Sequence, residues 1–226
     1  MNRKKVFQSL FMLVMVLALM LCMPVTSEAK VKSAKSILST AIKKFNKSPS
    51  ISYSYNRVQK IKNKGTQYRT GMCVSDGKID YGIYIDYDES QNAWTEYQYQ
   101  NVSFRKSLYS SYFEKIVWDG SSQAMKDSLQ YVLSHLKNIK LTRTTSTNYI
   151  ITGTISSKIS GAWKKATITI NRKSGRITEV QFNIRKSTNY YGNGGGSFVV
   201  TGGTYTYSNI CYGDSKLSLP AELKGK

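Results

Sequence analysis

Apolar and polar residues alternate in three runs between positions 147 and 187, at Tyr149–Ile155, Ala166–Asn171 and Glu179–Arg185. Side chains on a β-strand point alternately to its two faces, so each run predicts a strand with one apolar and one polar face. Ser174–Gly175 separates the second run from the third, and glycine supplies the positive φ that a tight hairpin needs. Because a sheet that is polar on one side must have its other side covered, the pattern also predicts covering elements.

A meander of four more strands is predicted within residues 51–101. Its turns are marked by Lys62–Gly65, Asp76–Gly77 and the polar run 88–92, which contain the residue types that turns favour. The most regular alternation in the chain, Ile79–Tyr87, lies between the second and third of these turns. Strands that follow one another through such short turns pair antiparallel.

The remaining strand pattern is less regular. Residues 197–212 predict a last pair of strands broken by Gly202–Gly203, and the glycine-rich stretch 189–196 predicts a flexible hairpin tip before it. Residues 102–118 are ambiguous, because their second half is rich in aromatic and β-branched residues, which suits a strand. Four apolar residues of the same stretch nevertheless recur at helical spacing: Phe104, Leu108, Tyr112 and Ile116. We expect a mixture of the two structures there.

Two amphipathic helices are predicted to cover the sheet, over residues 33–47 and 121–138. Ser33 can cap the first helix and Ser48–Pro49 ends it, whereas residues 119–122 offer caps for the second. The first helix is rich in lysine, so a position on a membrane surface is an alternative to packing on the sheet. The apolar stripes supply the candidate ligand-binding residues, with plain core as the alternative role: Ile37, Leu38, Ile42, Met125, Leu129, Val132 and Leu136.

The N-terminal residues have the features of an export signal. The basic segment Asn2–Lys5 precedes an apolar run from Val6 to Val25, and small residues follow it. This order fits a secretory signal peptide over residues 1–29, cut between Ala29 and Lys30. The alternative is an uncleaved membrane anchor, since the apolar run is nearly long enough to span a bilayer.

Lipid attachment at Cys22 is a further alternative for this segment. It is disfavoured by Leu21, because the lipoprotein pattern has a small residue before the cysteine. With the signal peptide removed, residues 30–226 suit one domain. We therefore expect a secreted or cell-surface protein.

The charge of the chain is strongly positive. It has 33 Lys and Arg against 13 Asp and Glu, a formal net charge of +20. An exported basic protein meets anionic cell-wall polymers and lipid headgroups first, so we expect these partners rather than nucleic acid. Because the basic residues are spread along the whole chain, solubility alone is the alternative explanation.

Two cysteines, Cys73 and Cys211, remain after removal of the signal peptide, and an exported pair can oxidise. A bridge over so long a loop would stabilise the fold by about 4–5 kcal/mol in the chain-entropy model. Cys73 is in phase with Gln67 and Arg69, which predicts that it lies on the polar face of its strand. A disulfide then needs Cys211 on an adjacent strand at matching phase, so both a bridge and two free thiols are open.

No catalytic residue, metal site or cofactor is predicted. The single histidine, His135, and two cysteines do not support a zinc cluster, and a G-x-S-x-G nucleophile motif is absent. We interpret His135 as a residue at the flank of the second helix. Asp86, Asp88 and Glu89 form the densest acidic cluster, but they lack the alternating ligands of a calcium loop.

The 17 tyrosines have two interpretations. Most fall on predicted strands, where aromatic residues are favoured for structural reasons. Alternatively, some of them stack on sugar rings or line a lipid cavity.

The order of these elements carries a resemblance. A helix, a meander and a second helix precede the run Asn148–Thr154 and the hairpin Ala166–Ile177, and the chain closes on Leu217–Pro220. In this order the chain resembles the LolA/LolB lipoprotein-carrier superfamily, including the LppX/LprG branch. The resemblance covers most of the mature chain as a pattern, and no binding residue of the family matches a specific motif.

The resemblance implies an α+β fold that is mostly antiparallel β. A curved, unclosed half-barrel would wrap around the N-terminal helix and the second, mid-chain helix. It also implies an apolar cavity between sheet and helices that holds acyl chains. The poor lipid-attachment site departs from the anchored members, so a role at a membrane would be soluble or charge-mediated.

Two functions therefore stay open. The first hypothesis is an exported, non-enzymatic and monomeric binding protein that holds a lipid or other amphiphile in an apolar cavity. The alternative is a cell-surface module with a filled core that binds anionic wall polymer or membrane headgroups through its positive charge.

Overall fold

Two helices, one short 3-10 helix and twelve strands make up the part of the chain that the structure, a computed structural model, describes. That part is residues 33–87, 92–99, 102–117, 124–190, 197–214 and 216–224. The helices are α1 (Ala34–Lys47) and α2 (Met125–Ser134), and the 3-10 helix is Ala221–Leu223. The strands are β1 (Ser50–Ile61), β2 (Gly65–Ser75), β3 (Ile79–Asp86), β4 (Ala93–Tyr99), β5 (Val102–Ser107), β6 (Glu114–Val117), β7 (Lys137–Thr144), β8 (Asn148–Thr154), β9 (Trp163–Asn171), β10 (Ile177–Ile184), β11 (Ser187–Tyr190) and β12 (Ser197–Gly213). The predicted signal peptide and most of the predicted turn at 88–92 lie outside the described residues.

All twelve strands form one antiparallel sheet in the order β6-β5-β4-β3-β2-β1-β12-β10-β9-β8-β7, with β11 paired to β12. Strand β12 lies between β1 and β10, so it joins an N-terminal meander to a C-terminal one. The outermost strands, β6 and β7, end the sheet on its two sides. The predicted α+β fold, mostly antiparallel and unclosed, is therefore confirmed.

Helix α1 begins and ends where its sequence predicts. The Ser33 hydroxyl accepts a hydrogen bond from the Ser36 N–H at 3.2 Å, which satisfies one of the free amides of the first turn. Ser48 is the C-terminal cap of α1. The next residue, Pro49, has no backbone N–H and cannot extend the helix. Four apolar side chains of α1 are buried: Ile37, Leu38, Ala41 and Phe45.

Helix α2 is shorter than predicted. It starts at Met125, and the predicted caps at 119–122 lie outside the described residues. Ala124 provides no side-chain cap, so the sheet supplies one: Asp80 Oδ2 accepts from the Met125 N–H at 2.7 Å, and Ser75 Oγ accepts from the next amide at 2.9 Å. These two bonds fix the start of α2 against the β2–β3 hairpin.

The end of the predicted second helix is wrong, because residues 137–144 form strand β7. His135 is the C-terminal cap of α2, which agrees with its interpretation as a flanking residue. Asn138 has φ 50°, a conformation that a helix cannot contain. Ile139 and Leu141 then alternate with polar residues and pack against the core. Strand β7 lies at the edge of the sheet, so only a few of its residues alternate between apolar and polar. The apolar stripe of α2 comes directly before it, and this made the short alternation hard to recognise in the sequence.

The two irregular strand regions also differ from expectation. Residues 102–117 contain two strands, β5 and β6, and no helix, so the helical spacing found there does not form one. Residues 197–213 are one long strand rather than a broken pair. Gly203 has φ 135°, and a Cβ there would collide with the Val58 carbonyl, so this glycine permits a close approach of β12 to β1 instead of a turn.

We call the face of the sheet that packs against α1 and α2 the inner face, and the opposite one the outer face. The core lies between the helices and the C-terminal half of the sheet. Its fully buried large side chains include Phe45, Leu38, Leu129, Ile151, Ile168, Phe182 and Tyr207. On the strands of the N-terminal meander, the inner face continues beyond the helices, and its residues become polar.

Candidate functional site

The seven predicted ligand-binding residues lie in the interior between the helices and the sheet. Five belong to the core and are at most 8% exposed: Ile37, Leu38, Leu129, Val132 and Leu136. Ile42 and Met125 are partly buried and pack against that core. None of the seven lines either of the two clefts described below, so their role in ligand binding stays a prediction. A ligand that reached them would have to separate the helices from the sheet.

A cleft of ≈ 280 Å³ lies on the inner face of β2–β6, at the sheet end away from the start of α2. Its residues come from strands in register: Arg69 pairs with Asp86 and Arg105 pairs with Glu114. We call it the arginine cleft. Its lining is formed by Arg69, Asp86, Asn92, Ala93, Trp94, Arg105, Ser107, Ser110, Tyr112 and Glu114.

The charges of the arginine cleft are paired. Arg69 Nε and Nη2 donate to the two carboxylate oxygens of Asp86 at 2.6 and 2.8 Å, a bidentate pair. Arg105 Nη2 donates to Glu96 Oε2 at 3.1 Å. Burial opposes the charge of Arg69, but the hydrogen bond and charge of Asp86 outweigh burial and raise the pKa of Arg69. The cleft therefore presents ordered donors and acceptors rather than a simple excess of one charge.

Trp94 holds both guanidinium groups in place from below. The guanidinium carbons of Arg69 and Arg105 lie 4.6 and 4.9 Å from the Trp94 ring centroid, within the range of cation–π contacts. The Trp94 Nε1–H donates to Glu96 Oε2 at 3.0 Å, and the side chain is 5% exposed. The ring is thus a buried floor that fixes the orientation of the arginines.

The cleft retains donors for a ligand. Arg69 and Arg105 each direct two of their N–H groups at a carboxylate, and a guanidinium has five. Arg57, on the neighbouring strand, does not line the cleft; its Nη2 lies 3.9 Å from Asp86 Oδ1, and its Nε is buried without a hydrogen-bond partner in the described part of the chain. Guanidinium N–H groups of this kind bind phosphate, carboxylate or sugar oxygens.

Aromatic rings continue from the cleft across the inner face. Successive ring centroids are 5.6 Å apart for Trp94–Tyr84, 6.0 Å for Tyr84–Tyr55, for Tyr55–Tyr205 and for Tyr205–Trp163, and 4.1 Å for Trp163–Phe182. We call these six side chains the aromatic band. It crosses the sheet from β4 to β9. Its middle members, Tyr55, Tyr84 and Tyr205, together with Trp163, are half-buried at the border of the core.

Two glycines allow Tyr84 to lie flat in this band. A Cβ at Gly82 would be 2.7 Å from the Tyr84 ring, and a Cβ at Gly71 would be 2.9 Å from it. Both distances are too short for a side chain, so only glycine leaves room for the ring against the strands. Glycine inside a strand often marks such a close approach, so Gly71 and Gly82 are the signal by which the sequence could have indicated the band.

The polarity of the N-terminal meander is inverted relative to the usual pattern. Its inner face carries the charged residues of the cleft, whereas its outer face exposes large apolar ones. The exposed side chains are Tyr68, Met72, Ile83 and Ile85, between 37% and 74% accessible. The sequence therefore predicted the wrong face for Cys73, which is 4% exposed and lies on the inner face opposite Tyr53.

The two cysteines are free. Cys211 is exposed and lies on the outer face of β12, in register with Ser52, whereas Cys73 is buried on the inner face of β2. Because the thiols point to opposite sides of the sheet, the Cys73–Cys211 disulfide is not compatible with this arrangement. Burial raises the pKa of the Cys73 thiol to about 11.

A second cleft of ≈ 280 Å³ lies on the outer face, under the C-terminal segment. Its aromatic wall is formed by Tyr81 and Tyr97, whose ring centroids are 4.6 Å apart, and by Phe113. Burial, with the charges of Tyr81 and Glu222, raises the pKa of Tyr97. Because this cleft is separated from the aromatic band by the sheet itself, we treat it as a separate feature.

Metal chemistry finds no support within the described residues. No group of three or more His, Cys, Asp or Glu side chains there is placed to hold a metal ion. Asp86 pairs with Arg69, while Asp88 and Glu89 lie outside the described residues.

None of the helices in the described ranges combines the length and the apolar character that crossing a membrane requires.

Comparison with known proteins gives matches among solved structures only. No protein-family model and no curated protein sequence matches the chain. A LolA superfamily protein from Nitrosomonas europaea is 11% identical at a TM-score of 0.32, over 87% of this chain and 99% of that one. The lipoprotein LppX of Mycobacterium tuberculosis is 13% identical at a TM-score of 0.38, over 83% and 98%. A DUF1329 family protein from Desulfovibrio piger is 12% identical at a TM-score of 0.34, over 83% and 96%.

Two of these structures bear the names of the superfamily and of the branch that the order of elements in this chain resembles.

Proposed function

We propose that this protein is a non-enzymatic, extracytoplasmic binding protein for an amphiphile. The polar group of the ligand would be held in the arginine cleft, and its apolar part would lie along the aromatic band. The observation that supports this most is the continuity of the two features on one face of the sheet, from Trp94 to Trp163.

The physical basis is the combination of ordered donors with half-buried rings. The cleft offers guanidinium N–H groups whose orientation is already fixed by Asp86, Glu96 and Trp94, so a ligand oxygen would bind with little loss of side-chain freedom. Each methylene that a ligand buries on the rings contributes about 0.8 kcal/mol at most. About ten such groups would outweigh association costs of several kcal/mol.

This site differs from the apolar cavity that the helix stripes predict. The helices fill the space beside the C-terminal half of the sheet with core side chains. Within the described residues, neither helix contributes to the lining of the cleft on the inner face of the N-terminal meander. We therefore place the ligand on the open part of the inner face.

The test uses a single-chain phospholipid, lyso-phosphatidylglycerol, with binding followed by the intrinsic tryptophan fluorescence, to which Trp94 and Trp163 contribute. Wild-type protein should bind it saturably, and native mass spectrometry should show a one-to-one complex. Tyr205→Ala, which interrupts the aromatic band, should weaken binding by about tenfold, the loss of roughly 1.4 kcal/mol of ring contact.

Tyr68→Ala is the matched control. It removes an exposed tyrosine from the outer face, where the proposed ligand does not reach, and should leave the affinity unchanged. If wild-type protein binds neither this lipid nor a fatty acid, or if the two variants weaken binding equally, the proposal is wrong.

A further inference from the structure

Two long segments of the chain contain no acidic residue. Residues 33–75 contain no Asp or Glu, and neither do residues 128–178. These two segments form α1, β1 and β2 together with β7, β8 and β9. The ion pairs found among the described residues all involve Asp86 or Glu96, in the N-terminal meander. Cations of α1, β1, β2 and β7–β9 therefore lack carboxylates on their own elements.

Six exposed cations from these elements meet at one end of the sheet. We call this surface the basic end: Lys43, Lys44, Lys47, Arg172, Lys173 and Arg176. The first three lie on the last turns of α1, and the others lie in the turn between β9 and β10. Lys44 Nζ donates to the Ser174 carbonyl oxygen at 2.5 Å, which joins the helix to the turn.

Further contacts of the basic end are made with neutral groups. Arg172 Nη1 donates to the Thr145 carbonyl oxygen at 2.8 Å, and its guanidinium carbon is 5.3 Å from the Tyr149 ring centroid. Arg176 lies 4.8 Å from the ring centroid of Tyr212. Carbonyl oxygens and aromatic faces orient a cation without cancelling its formal charge. The surface is thus ordered and keeps its positive potential.

Four carboxylates of the described residues lie at this end of the sheet or beside it. Asp214 follows the strand end that contacts Ser48, next to the end of α1. Asp76 follows Ser75, which pairs with Ile51 at the start of β1, and Asp127 lies against Gly77 of the same hairpin. Glu179 lies on the outer face of β10, opposite Thr169. The balance at the basic end remains positive.

The shape of the basic end favours a planar partner. Its cations sit on the tip of a helix and the tip of a hairpin that end at the same side of the sheet, so one plane can touch them together. Neither of the two clefts lies there, and the large exposed apolar side chains of the described chain all lie between Tyr68 and Tyr131. None of the large exposed apolar side chains of the described residues therefore belongs to the basic end, so insertion into a membrane is not expected there.

We infer that the basic end docks on the surface of an anionic phospholipid bilayer by charge alone. Headgroup phosphates attract each nearby Lys or Arg, and salt screens the attraction over about 8–10 Å. This inference does not depend on the amphiphile site, which lies on the inner face of the sheet and includes none of these six cations.

The experiment measures co-sedimentation of the full folded chain with phosphatidylcholine vesicles, prepared with or without phosphatidylglycerol. Binding should require phosphatidylglycerol and should fall steeply as salt is added. The test variant is Lys43→Glu/Lys47→Glu/Lys173→Glu, which leaves the contacts of Lys44, Arg172 and Arg176 unchanged. It should weaken vesicle binding by at least about tenfold.

The matched control is Lys60→Glu/Lys62→Glu/Lys64→Glu, in the β1–β2 turn region at the opposite end of the sheet. It changes the net charge by the same amount and should alter binding by no more than about twofold. Equal loss in both variants, or no binding to anionic vesicles, would overturn the inference. Tighter binding of soluble polyphosphate than of vesicles, with the same variant dependence, would replace the bilayer by a linear polyanion. Circular dichroism melts would confirm that both variants fold.

Discussion

Asp80 offers a direct test of how α2 is attached to the sheet. Its carboxyl is 7% exposed and accepts the Met125 N–H through Oδ2, while Oδ1 is buried without a hydrogen-bond partner in the described chain. Burial raises the pKa of Asp80 to about 7, and the charges of Asp76 and Asp127 act in the same direction. The hydrogen bonds from Ser75 and Met125 oppose this rise without cancelling it.

The sign of the pH dependence follows from this shift. In the unfolded chain the carboxyl returns to its usual pKa of 3.8. A group with a higher pKa in the folded state stabilises the fold while it is protonated. Its contribution is complete below about pH 4 and is lost as the pH rises through about 7. A separation of about three pH units corresponds to roughly 4 kcal/mol of unfolding free energy at most.

The perturbation is Asp80→Asn, which keeps an acceptor for the Met125 N–H and cannot ionise. Urea unfolding followed by tryptophan fluorescence, from about pH 5 to about pH 9, should show wild type losing stability relative to the variant. At the alkaline end the variant should be more stable by about 2–4 kcal/mol. The control is Asp214→Asn, at an exposed carboxylate. Its unfolding free energy should depend on pH in the same way as that of wild type. A constant difference between wild type and Asp80→Asn across this range would refute the reasoning.

Three further predictions concern the packing of the sheet. In a urea titration, Gly203→Ala should lower the unfolding free energy by at least about 2 kcal/mol, because φ is 135° and the new Cβ would collide with the backbone of β1. The control, Gly202→Ala, places its Cβ in open space and should change the unfolding free energy by less than about 1 kcal/mol. Leu129→Ala removes a side chain with 0% exposure and should cost about 2–5 kcal/mol by differential scanning calorimetry or urea; a smaller loss would mean the helix is loosely packed. In the chain beginning at Lys30, Ellman's reagent should label Cys211 at once and Cys73 only after unfolding; a denatured, unreduced sample without free thiols would instead show a disulfide.

The sequence predicted the fold well where the local pattern is strong. The alternation at Ala166–Asn171 and Glu179–Arg185 corresponds to β9 and β10, and Gly175, with φ 65°, forms the turn between them. The stripe of α1 is equally clear, since every fourth residue is apolar and Ser33 supplies a cap. Such features depend on neighbours in the chain, which a sequence shows directly.

The candidate site was not predicted because it depends on pairing between distant strands. Arg69, Asp86 and Arg105 lie at inner-face positions of β2, β3 and β5. In a sequence, however, polar residues at every second position of a strand indicate a face that is exposed to solvent. For this reason the sequence placed Cys73, which shares their face of β2, on the solvent side. Charged residues on the inner face become informative only once the register places them beside one another and beside Trp94.

The position of β12 has a consequence for how the molecule is assembled. Its pairing with β1 brings Tyr207 beside Tyr55, across most of the length of the chain. Contacts between such distant segments form late and make folding slow. Until the contacts of β12 form, β1 and β10 are edge strands whose backbone amides and carbonyls are unpaired. Such edges can pair with strands of other molecules. Refolding at low protein concentration should therefore give native protein. At high concentration, partly folded chains should aggregate through these unpaired strand edges.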